Sequence, residues 1–378
     1  MQLRQHPLPS PTPGTQRELV SLHYGQAGQG QKVYIQASLH ADELPGMLTA
    51  WHLRRHFDVL EAAGRLRGEV ILVPMANPIG LSQWWLQSHL GRFEGLSGEN
   101  FNRHYPEHIE AAARHAEPRL GDDPARSTAT LRAALKAEVQ ASLADTELKA
   151  LRKTLMLMAC DADVVLDLHC DAQAVMHLYT ETPCWPQCEP LAAFLGAGVT
   201  LLATDSGDNP FDEACSQVWR KWAAHFGDRF PIPQACLSVT VELRGQQDVH
   251  HDLAARDAQA IVDFLIHRGV IASDAPDGAP PPVPAPVGDA RPLAGSIPVP
   301  SPVGGVLTFL REVGETVKTG DVIAQVIDPI SGSVTDLKSP IDGLLFARDT
   351  LRLVTAGARV AKVAGREATR TGKLLGAR

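Results

Sequence analysis

Three apolar stretches of the chain end in histidine or carboxylate side chains, which are the residue types that bind catalytic metal ions. His40 and Glu43 follow the apolar run at 33–39 and stand three positions apart. One ion can take an imidazole nitrogen from the first residue and a carboxylate oxygen from the second. By itself the pair is also compatible with a solvated histidine and a glutamate that starts the next helix.

His169 ends a second apolar run, residues 164–169, and Asp167 lies on the same side of that strand because side chains alternate with a period of two. Together with His40 and Glu43 it forms a His2Glu set, which in catalytic zinc sites leaves one position open for water. A histidine satisfied inside the core is the alternative. Asp167 and Asp42 are interpreted as supporting or structural residues rather than as ligands.

Glu242 interrupts the apolar pattern of a third strand, residues 237–243, with a carboxylate. A buried carboxylate is costly unless it is paired or used. A glutamate that faces a metal-activated water can take the proton of that water and pass it to a departing amine. The alternative is a salt bridge with Arg244.

A glycine-rich polar loop at 91–106 supplies Arg92, Asn100, Asn102 and Arg103. A guanidinium group binds a carboxylate with two hydrogen bonds and can also stabilise an oxyanion, which lysine does less well. In isolation this loop is weak evidence for a site.

The order of these motifs resembles that of the zinc carboxypeptidase superfamily: His-x-x-Glu, then Arg and Asn-Arg, then Asp-Leu-His, then Glu-Leu-Arg. Within it, the chain is similar to the succinylglutamate desuccinylase/aspartoacylase branch over roughly residues 30–270, and the barrel-like tail described below is also a feature of that branch. The resemblance implies that His40, Glu43 and His169 bind one zinc ion per chain and that Glu242 is the general base.

The same resemblance implies roles for the loop residues. Asn102 and Arg103 match the Asn-Arg of the family and would bind a carboxylate of the substrate, whereas Arg92 would polarise the scissile carbonyl. The tyrosine that caps the substrate in carboxypeptidases has no obvious match here, which favours a deacylase over a peptidase.

The elements that must position these residues alternate between strands and helices. Apolar runs at 33–39, 69–75, 164–169 and 237–243 predict buried strands, and helical spacing is present at 45–57, 127–158 and 251–267. The predicted fold is α/β, a mixed and largely parallel sheet flanked by helices as in zinc carboxypeptidases, with a small all-β barrel-like domain at the C-terminus. Ligand sites in such sheets form where parallel strands end.

The segment 274–300 contains nine prolines and predicts an extended linker. Residues 1–273 are therefore predicted to form the hydrolase domain and residues 301–378 the barrel. Residues 301–326 and 339–363 share Ser-Pro, a glycine four positions on and a late glycine, which indicates an internal repeat. It resembles the biotinyl/lipoyl-like barrel, but Ile330, Ser331 and Gly332 occupy the hairpin where a carrier domain would have its lysine.

Composition limits the remaining classes. The formal net charge of -8, from 35 basic and 43 acidic residues, disfavours a nucleic-acid binder. The N-terminus lacks the apolar run of a signal peptide, and no stretch predicts a membrane span. With six scattered cysteines interpreted as reduced, a cytoplasmic location is expected. A homo-oligomer is compatible with the sequence, which does not fix the oligomeric state.

The sequence thus predicts zinc-dependent hydrolysis of an amide bond, most simply the deacylation of an N-acyl amino acid or a related small amide that bears a carboxylate. Two alternatives remain open at this point. One is a metallocarboxypeptidase that acts on short peptides with the same residues. The other is a non-enzymatic role, in which the barrel is an acyl or biotin carrier or a docking module.

Overall fold

The strands predicted from the apolar runs lie side by side in one nine-stranded sheet. The structure is a computed structural model and describes residues 1–375. The strands up to residue 292 are β1 (Gln2–Pro7), β2 (Glu18–Tyr24), β3 (Lys32–Ala37), β4 (Glu69–Val73), β5 (Trp84–Trp85), β6 (Ser88–His89), β7 (Val164–Asp171), β8 (Gln173–Ala174), β9 (His177–Glu181), β10 (Val199–Ala203), β11 (Leu237–Gly245) and β12 (Asp289–Pro292).

The large sheet has the strand order β1-β2-β4-β3-β7-β11-β9-β10-β12. The neighbours β4-β3-β7-β11 and β9-β10-β12 are parallel, whereas β1-β2, β2-β4 and β11-β9 are antiparallel. The prediction of a mixed, largely parallel sheet is therefore confirmed. Because β3, β7 and β11 are adjacent and parallel, their carboxyl ends meet at one edge of the sheet.

Helices cover both faces of this sheet. They are α1 (Pro45–Ala62), α2 (Pro78–Leu81), α3 (Ile109–Ala116), α4 (Pro124–Ala141), α5 (Glu147–Ala159), α6 (Trp185–Leu195), α7 (Phe211–Phe226) and α8 (His251–His267). One apolar core lies between the sheet and α3, α4, α5 and α7, and a second lies between the sheet and α1, α6 and α8. The run at 127–158 is two helices, and both contribute buried leucines rather than lying wholly on the surface.

The C-terminal part forms two small antiparallel sheets around a core of its own. Its strands are β13 (Ser296–Pro300), β14 (Gly305–Phe309), β15 (Thr316–Val317), β16 (Val322–Ile327), β17 (Val334–Lys338), β18 (Gly343–Arg348), β19 (Leu353–Val354) and β20 (Arg359–Ala364). The internal repeat is visible in its hydrogen bonds, since the Ser301 and Ser339 hydroxyls each donate to the carbonyl two residues on, at 2.6 and 2.7 Å. The all-β, barrel-like prediction for this part is confirmed.

The predicted proline-rich linker is wrong in its second half. Within 274–300, β12 adds to the edge of the large sheet beside β10, and β13 pairs with β20. Both are edge strands, where a proline without an N–H can be accommodated because one side of the strand needs no hydrogen-bond partner. Composition alone could not distinguish such strands from a connector. The division into two domains remains a prediction.

The two parts of the chain are joined by a strand pair near the predicted site. In β8, just after the strand that ends in His169, Gln173 and Ala174 pair antiparallel with Arg348 and Ala347 of β18. In residues 1–375, no helix combines the length and apolar character needed to cross a membrane. All six cysteines are buried and free, as expected for reduced thiols.

Candidate active site

Three strand ends bring the predicted chemistry together. Glu242 of β11 is the direct register partner of His169 on β7. His40 follows β3, the other neighbour of β7, after a turn in which Ser38 adopts a left-handed backbone with φ of 65°. The parallel order of β3, β7 and β11 is thus what gathers residues that are far apart in the sequence.

His40, Glu43 and His169 form one buried cluster, with each residue at most 3 % exposed. Glu43 lies between the two rings: its Oε1 is 2.9 Å from His40 Nδ1, and its Oε2 is 2.7 Å from His169 Nδ1. The candidate ligand atoms lie within 4.8 Å of one another, and the described part of the chain contains no second cluster of this kind. The geometry excludes the solvated-histidine alternative for His40.

The outer contacts of His40 show that this cluster suits a cation. The Asn100 Oδ1 accepts the backbone N–H of Asn102 at 2.9 Å and lies 2.8 Å from His40 Nε2, so Nε2 is the nitrogen that donates. The lone pair of Nδ1 on a neutral ring then faces the Glu43 carboxylate, and their repulsion is offset by a cation, since Arg92 Nη1 lies 3.3 Å from Nδ1 and 3.0 Å from Glu43 Oε1. Two imidazole nitrogens and a carboxylate are the donor set of catalytic zinc sites.

The charges within the cluster agree with this arrangement. Burial would raise the pKa of Glu43, but the facing His40 and His169 hold it well below its usual range. Burial would lower the pKa of His169, but Asp167 and Glu43 raise it well above its usual value. The positive charge that faces Glu43 from His169 and Arg92 therefore keeps this carboxylate ionised.

Asp167 supports His169 from behind. Its Oδ2 is 2.9 Å from His169 Nε2, and its Oδ1 accepts a hydrogen bond from Gln36 Nε2 at 2.9 Å. A carboxylate at this position orients the ring and makes the other nitrogen a better metal ligand. The sequence interpretation of Asp167 as a supporting residue fits this contact, and Asn100 is the equivalent support for His40.

We expect Asp167→Asn to lower zinc affinity by about 10- to 100-fold, because loss of a supporting carboxylate weakens a metal-bound histidine by that amount. The affinity is measured by competition with a chromophoric chelator. Asp161→Asn is the matched control, since Asp161 pairs with Lys32 and Lys136 away from the cluster. Equal zinc affinity in both variants and the wild type would contradict the supporting role of Asp167.

Glu242 is free of the salt bridge that the sequence allowed. Arg244 instead binds Asp257 with both terminal nitrogens, one of them at 3.2 Å. Arg244 has a left-handed φ of 66°, and the pairing register with β7 shifts between Glu242 and Gly245. This bulge changes the direction of the strand directly after Glu242.

The Glu242 carboxyl lines the same cavity as the His40–Glu43–His169 cluster and has unused hydrogen-bonding capacity. Its Oε2 is buried without a partner in the described structure. Burial, followed by the charge of Glu43, raises the pKa of Glu242 to about 8. A carboxyl with these properties at the wall of a cavity is suited to transferring a proton.

Arg92 reaches the cluster because Gly91 lets two loops touch. The Gly91 carbonyl accepts the N–H of Ala41 at 2.9 Å, and a Cβ at Gly91 would lie 2.2 Å from the backbone nitrogen of Asp42. Only glycine permits this approach. The Arg92 Nη1 then donates to Glu43 Oε1 at 3.0 Å.

Asn102 and Arg103 also line the cavity, but their side chains differ in availability. The Asn102 Oδ1 accepts the N–H of Phe211 at 2.8 Å, and its Nδ2 lies 3.4 Å from His169 Nε2, so this amide largely holds the scaffold. Arg103 is 6 % exposed and makes no ion pair within residues 1–375, and its Nε lacks a partner there. Burial, and then Arg92, lowers its pKa. Arg103 is therefore the freer cation.

A cavity of about 400 Å³ contains these side chains. One wall comes from the sheet edge, with the metal-binding cluster, Arg92, Arg103 and Glu242. The opposite wall comes from the C-terminal sheets and includes Arg359, Val360 and Lys362 of β20. Lys362 Nζ donates to Asp171 Oδ2 at 2.5 Å, which ties this wall to the end of β7. No local pattern in the sequence marks the residues of this wall.

Comparisons with known proteins identify a family and a fold that this chain resembles. A family model described as the succinylglutamate desuccinylase/aspartoacylase catalytic domain matches residues 29–268. The structure is similar to that of a succinylglutamate desuccinylase/aspartoacylase family protein from Shewanella amazonensis SB2B, with 27% identity, a TM-score of 0.84, and 96% and 98% of the two chains covered.

A second protein with the same family description, from Shewanella frigidimarina NCIMB 400, has 25% identity and a TM-score of 0.82 over 96% of both chains. The product-bound ectoine utilization protein EutE (DoeB) from Ruegeria pomeroyi shares the fold at 17% identity, with a TM-score of 0.64 and 96% and 94% of the two chains covered. A search of curated proteins gave no significant match.

Proposed function

The chain belongs to the succinylglutamate desuccinylase/aspartoacylase family of hydrolases, and we propose that it is a zinc-dependent deacylase of small N-acyl amino acids or related amides. The observation that supports this most strongly is the placement of Glu242. Its unpartnered carboxyl lies beside the His40–Glu43–His169 cluster in a cavity of about 400 Å³.

His40, Glu43 and His169 would hold one zinc ion per chain. When bound, zinc supplies Lewis acidity, which polarises a scissile carbonyl and lowers the pKa of an attacking water to about 7. Glu242 accepts the proton of that water and delivers it to the leaving nitrogen, because its buried carboxyl lines the cavity beside the cluster and Oε2 has no partner in residues 1–375. The products are a carboxylic acid and an amine.

The arginines have separate tasks in this proposal. Arg92 lies against the ligand Glu43 and stabilises the negative charge that develops on the carbonyl oxygen. Arg103 binds a carboxylate of the substrate, since its guanidinium is buried in the cavity wall without an ion pair in the described structure. Asn102 has the proposed substrate-binding role through its amide Nδ2, and its backbone carbonyl accepts a hydrogen bond from Arg103 Nη1 at 2.6 Å, which holds Arg103 in place.

We expect Arg103→Lys to raise KM for carboxylate-bearing substrates by about 10- to 100-fold with a smaller change in kcat, because lysine cannot form the two parallel hydrogen bonds of a guanidinium. Steady-state kinetics with an N-acyl amino acid and its carboxamide analogue measure the effect. Arg268→Lys is the control, since Arg268 bonds Gln187 and Gln31 far from the cavity. A KM increase of the same size with the carboxamide would contradict carboxylate binding by Arg103.

The experiment that tests the function is a substrate screen with zinc-loaded protein. It covers N-acetyl, N-succinyl and N-formyl amino acids, N-acylated diamines and a set of short peptides. We expect release of a carboxylic acid from at least one N-acyl amino acid at a higher kcat/KM than for any peptide. Hydrolysis of peptides alone would replace the deacylase proposal with the metallocarboxypeptidase alternative.

Two observations favour the deacylase over its alternatives. The wall built from the C-terminal sheets limits the space beside the cluster, which suits a small amide better than a peptide chain. The hairpin tip of the barrel presents Ile330, 97% exposed, where a carrier domain would have a lysine. Intact-mass measurement tests the carrier alternative, which requires covalent modification of a C-terminal lysine.

A further inference from the structure

The last described residues of the chain, 369–375, return from the barrel to the cavity of the large sheet. We call residues 369–375 the C-terminal segment. Its first part is held by Ala294, whose carbonyl accepts the N–H groups of Thr369 and Arg370 at 3.1 and 2.9 Å. Its last part is held by Ser206, whose carbonyl accepts the N–H groups of Leu374 and Leu375, both at 2.9 Å. The segment therefore bridges the C-terminal sheets and the loop that follows β10.

That loop, residues 204–210, also forms hydrogen bonds with the 91–106 loop that contains Arg103. The carbonyls of Asp208 and Asn209 accept the N–H groups of His104 and Tyr105 at 2.8 and 3.2 Å. Asn209 Nδ2 donates in return to the Tyr105 carbonyl at 2.5 Å. Because His104 and Tyr105 directly follow Arg103, the position of the 204–210 loop determines where the Arg103 guanidinium lies in the cavity.

The contact between the C-terminal segment and this loop has a charged and an apolar component. Lys373 pairs with Asp208, whose carboxylate is 10% exposed, and the side chain of Lys373 covers Gly207. Asp208 adopts a left-handed φ of 60°, an unfavourable conformation that its contacts must maintain. Leu374 and Leu375 pack beside Leu201 and Leu293, and Leu375 reaches the cavity itself.

We propose that the C-terminal segment determines substrate selectivity. Leu375 closes the end of the cavity and limits the size of the substrate, and Lys373 is a positioning residue that acts through Asp208 to hold Arg103 in place for a substrate carboxylate. The part concerning the carboxylate rests on the proposed function. The segment needs no metal to act, so its effect on the loops can be measured separately from hydrolysis.

The first measurement is amide hydrogen exchange of the peptide that contains His104 and Tyr105, in the zinc-loaded full-length protein without substrate. Lys373 is 69% exposed, so in Lys373→Ala we expect the protected amides of this peptide to exchange about two- to fivefold faster, as for the loss of a partly exposed ion pair. Lys149→Ala is the matched control, because Lys149 forms an exposed ion pair with Asp145 at 2.8 Å on another surface. Exchange that is equal in Lys373→Ala and the control overturns the positioning role.

The second measurement separates positioning from general stabilisation. In Lys373→Ala we expect KM for an N-acyl amino acid to rise about two- to fivefold while KM for its carboxamide is unchanged. The exchanged pair Lys373→Asp with Asp208→Lys is expected to restore the selectivity. An equal change for both substrates overturns the proposal. If the wild-type protein hydrolyses neither, the proposed function fails and the exchange result alone decides the positioning role.

Leu375→Ala tests the wall independently of Lys373. Removing the side chain enlarges the end of the cavity, which should admit a substrate two carbons longer than the best one. We expect kcat/KM for the longer substrate, relative to that for the best substrate, to rise about tenfold. This is the effect of one to two methylene groups in an apolar pocket. Zinc content and the exchange of the His104 peptide are expected to stay at wild-type values. An unchanged length preference overturns the role of Leu375 in selectivity.

Discussion

Glu242→Gln is expected to lower kcat by about 10²- to 10⁴-fold, the contribution of a positioned general base, while the protein retains its zinc. Glutamine has nearly the same shape but cannot accept a proton from water. Elemental analysis measures the zinc content of the variant, and its turnover is measured with the best substrate of the wild type. Asp257→Asn, which alters the neighbouring Arg244 contact, is the control for a disturbed β11. Near-normal turnover in Glu242→Gln would exclude Glu242 as the base.

The pH dependence of the rate follows from the same residue. Burial, and then the charge of Glu43, raises the pKa of Glu242 to about 8. A cation in the cluster offsets the charge of Glu43 and so lowers the pKa of Glu242. Since the base acts only when deprotonated, kcat/KM rises with pH up to this pKa and falls as the solution becomes more acidic. The limb that Glu242 contributes is expected to disappear from the pH profile of Glu242→Gln.

Removal of the metal is expected to have an effect at least as large. His169→Ala deletes one of three ligands and leaves Glu43 with a single imidazole partner, so we expect zinc to be lost on dialysis. The loss of Lewis acidity is worth several kcal/mol of transition-state stabilisation, or about 10³-fold or more in rate. Elemental analysis of dialysed His169→Ala and His40→Ala protein measures the occupancy.

A chelator provides the matched experiment on the unchanged sequence. The wild-type protein is expected to lose activity with its zinc and to recover both when zinc is restored, whereas His169→Ala recovers neither. His267→Ala is the control variant, because His267 is the last residue of α8 and is not among the residues that line the cavity. Full zinc occupancy in both ligand variants would refute the proposed site.

The role of the C-terminal sheets also changes how the whole molecule is understood. They were predicted as an appended barrel, yet β18 pairs with β8 directly after the His169 strand, and β20 lines the cavity. Deleting residues 301–378 would therefore remove a wall of the site rather than a separate module. Substrate size and charge are accordingly expected to depend on residues of both parts.

The sequence by itself determined the large sheet and showed that His40, Glu43, His169 and Glu242 lie where its strands end. Apolar runs that end in His169 and Glu242 identify buried strands, and parallel strands gather their carboxyl ends at one edge, so a local pattern combined with one topological rule was sufficient. It also showed the internal repeat, because a repeated turn requires the same small residues twice. The sequence did not predict the proline-containing edge strands β12 and β13, because their pairing partners are distant in the chain.

Only the tertiary structure decided how the site is supported and closed. Asn100 fixes the ring of His40 across 60 positions, and Lys362 reaches Asp171 across 191. Such contacts depend on how loops and sheets pack. No periodic pattern or motif spacing in the sequence marks the residues that form them. The candidate ligands can be found from the sequence because each lies at or just after the end of a strand. The shape of the cavity around them depends on surfaces that meet only in the folded chain.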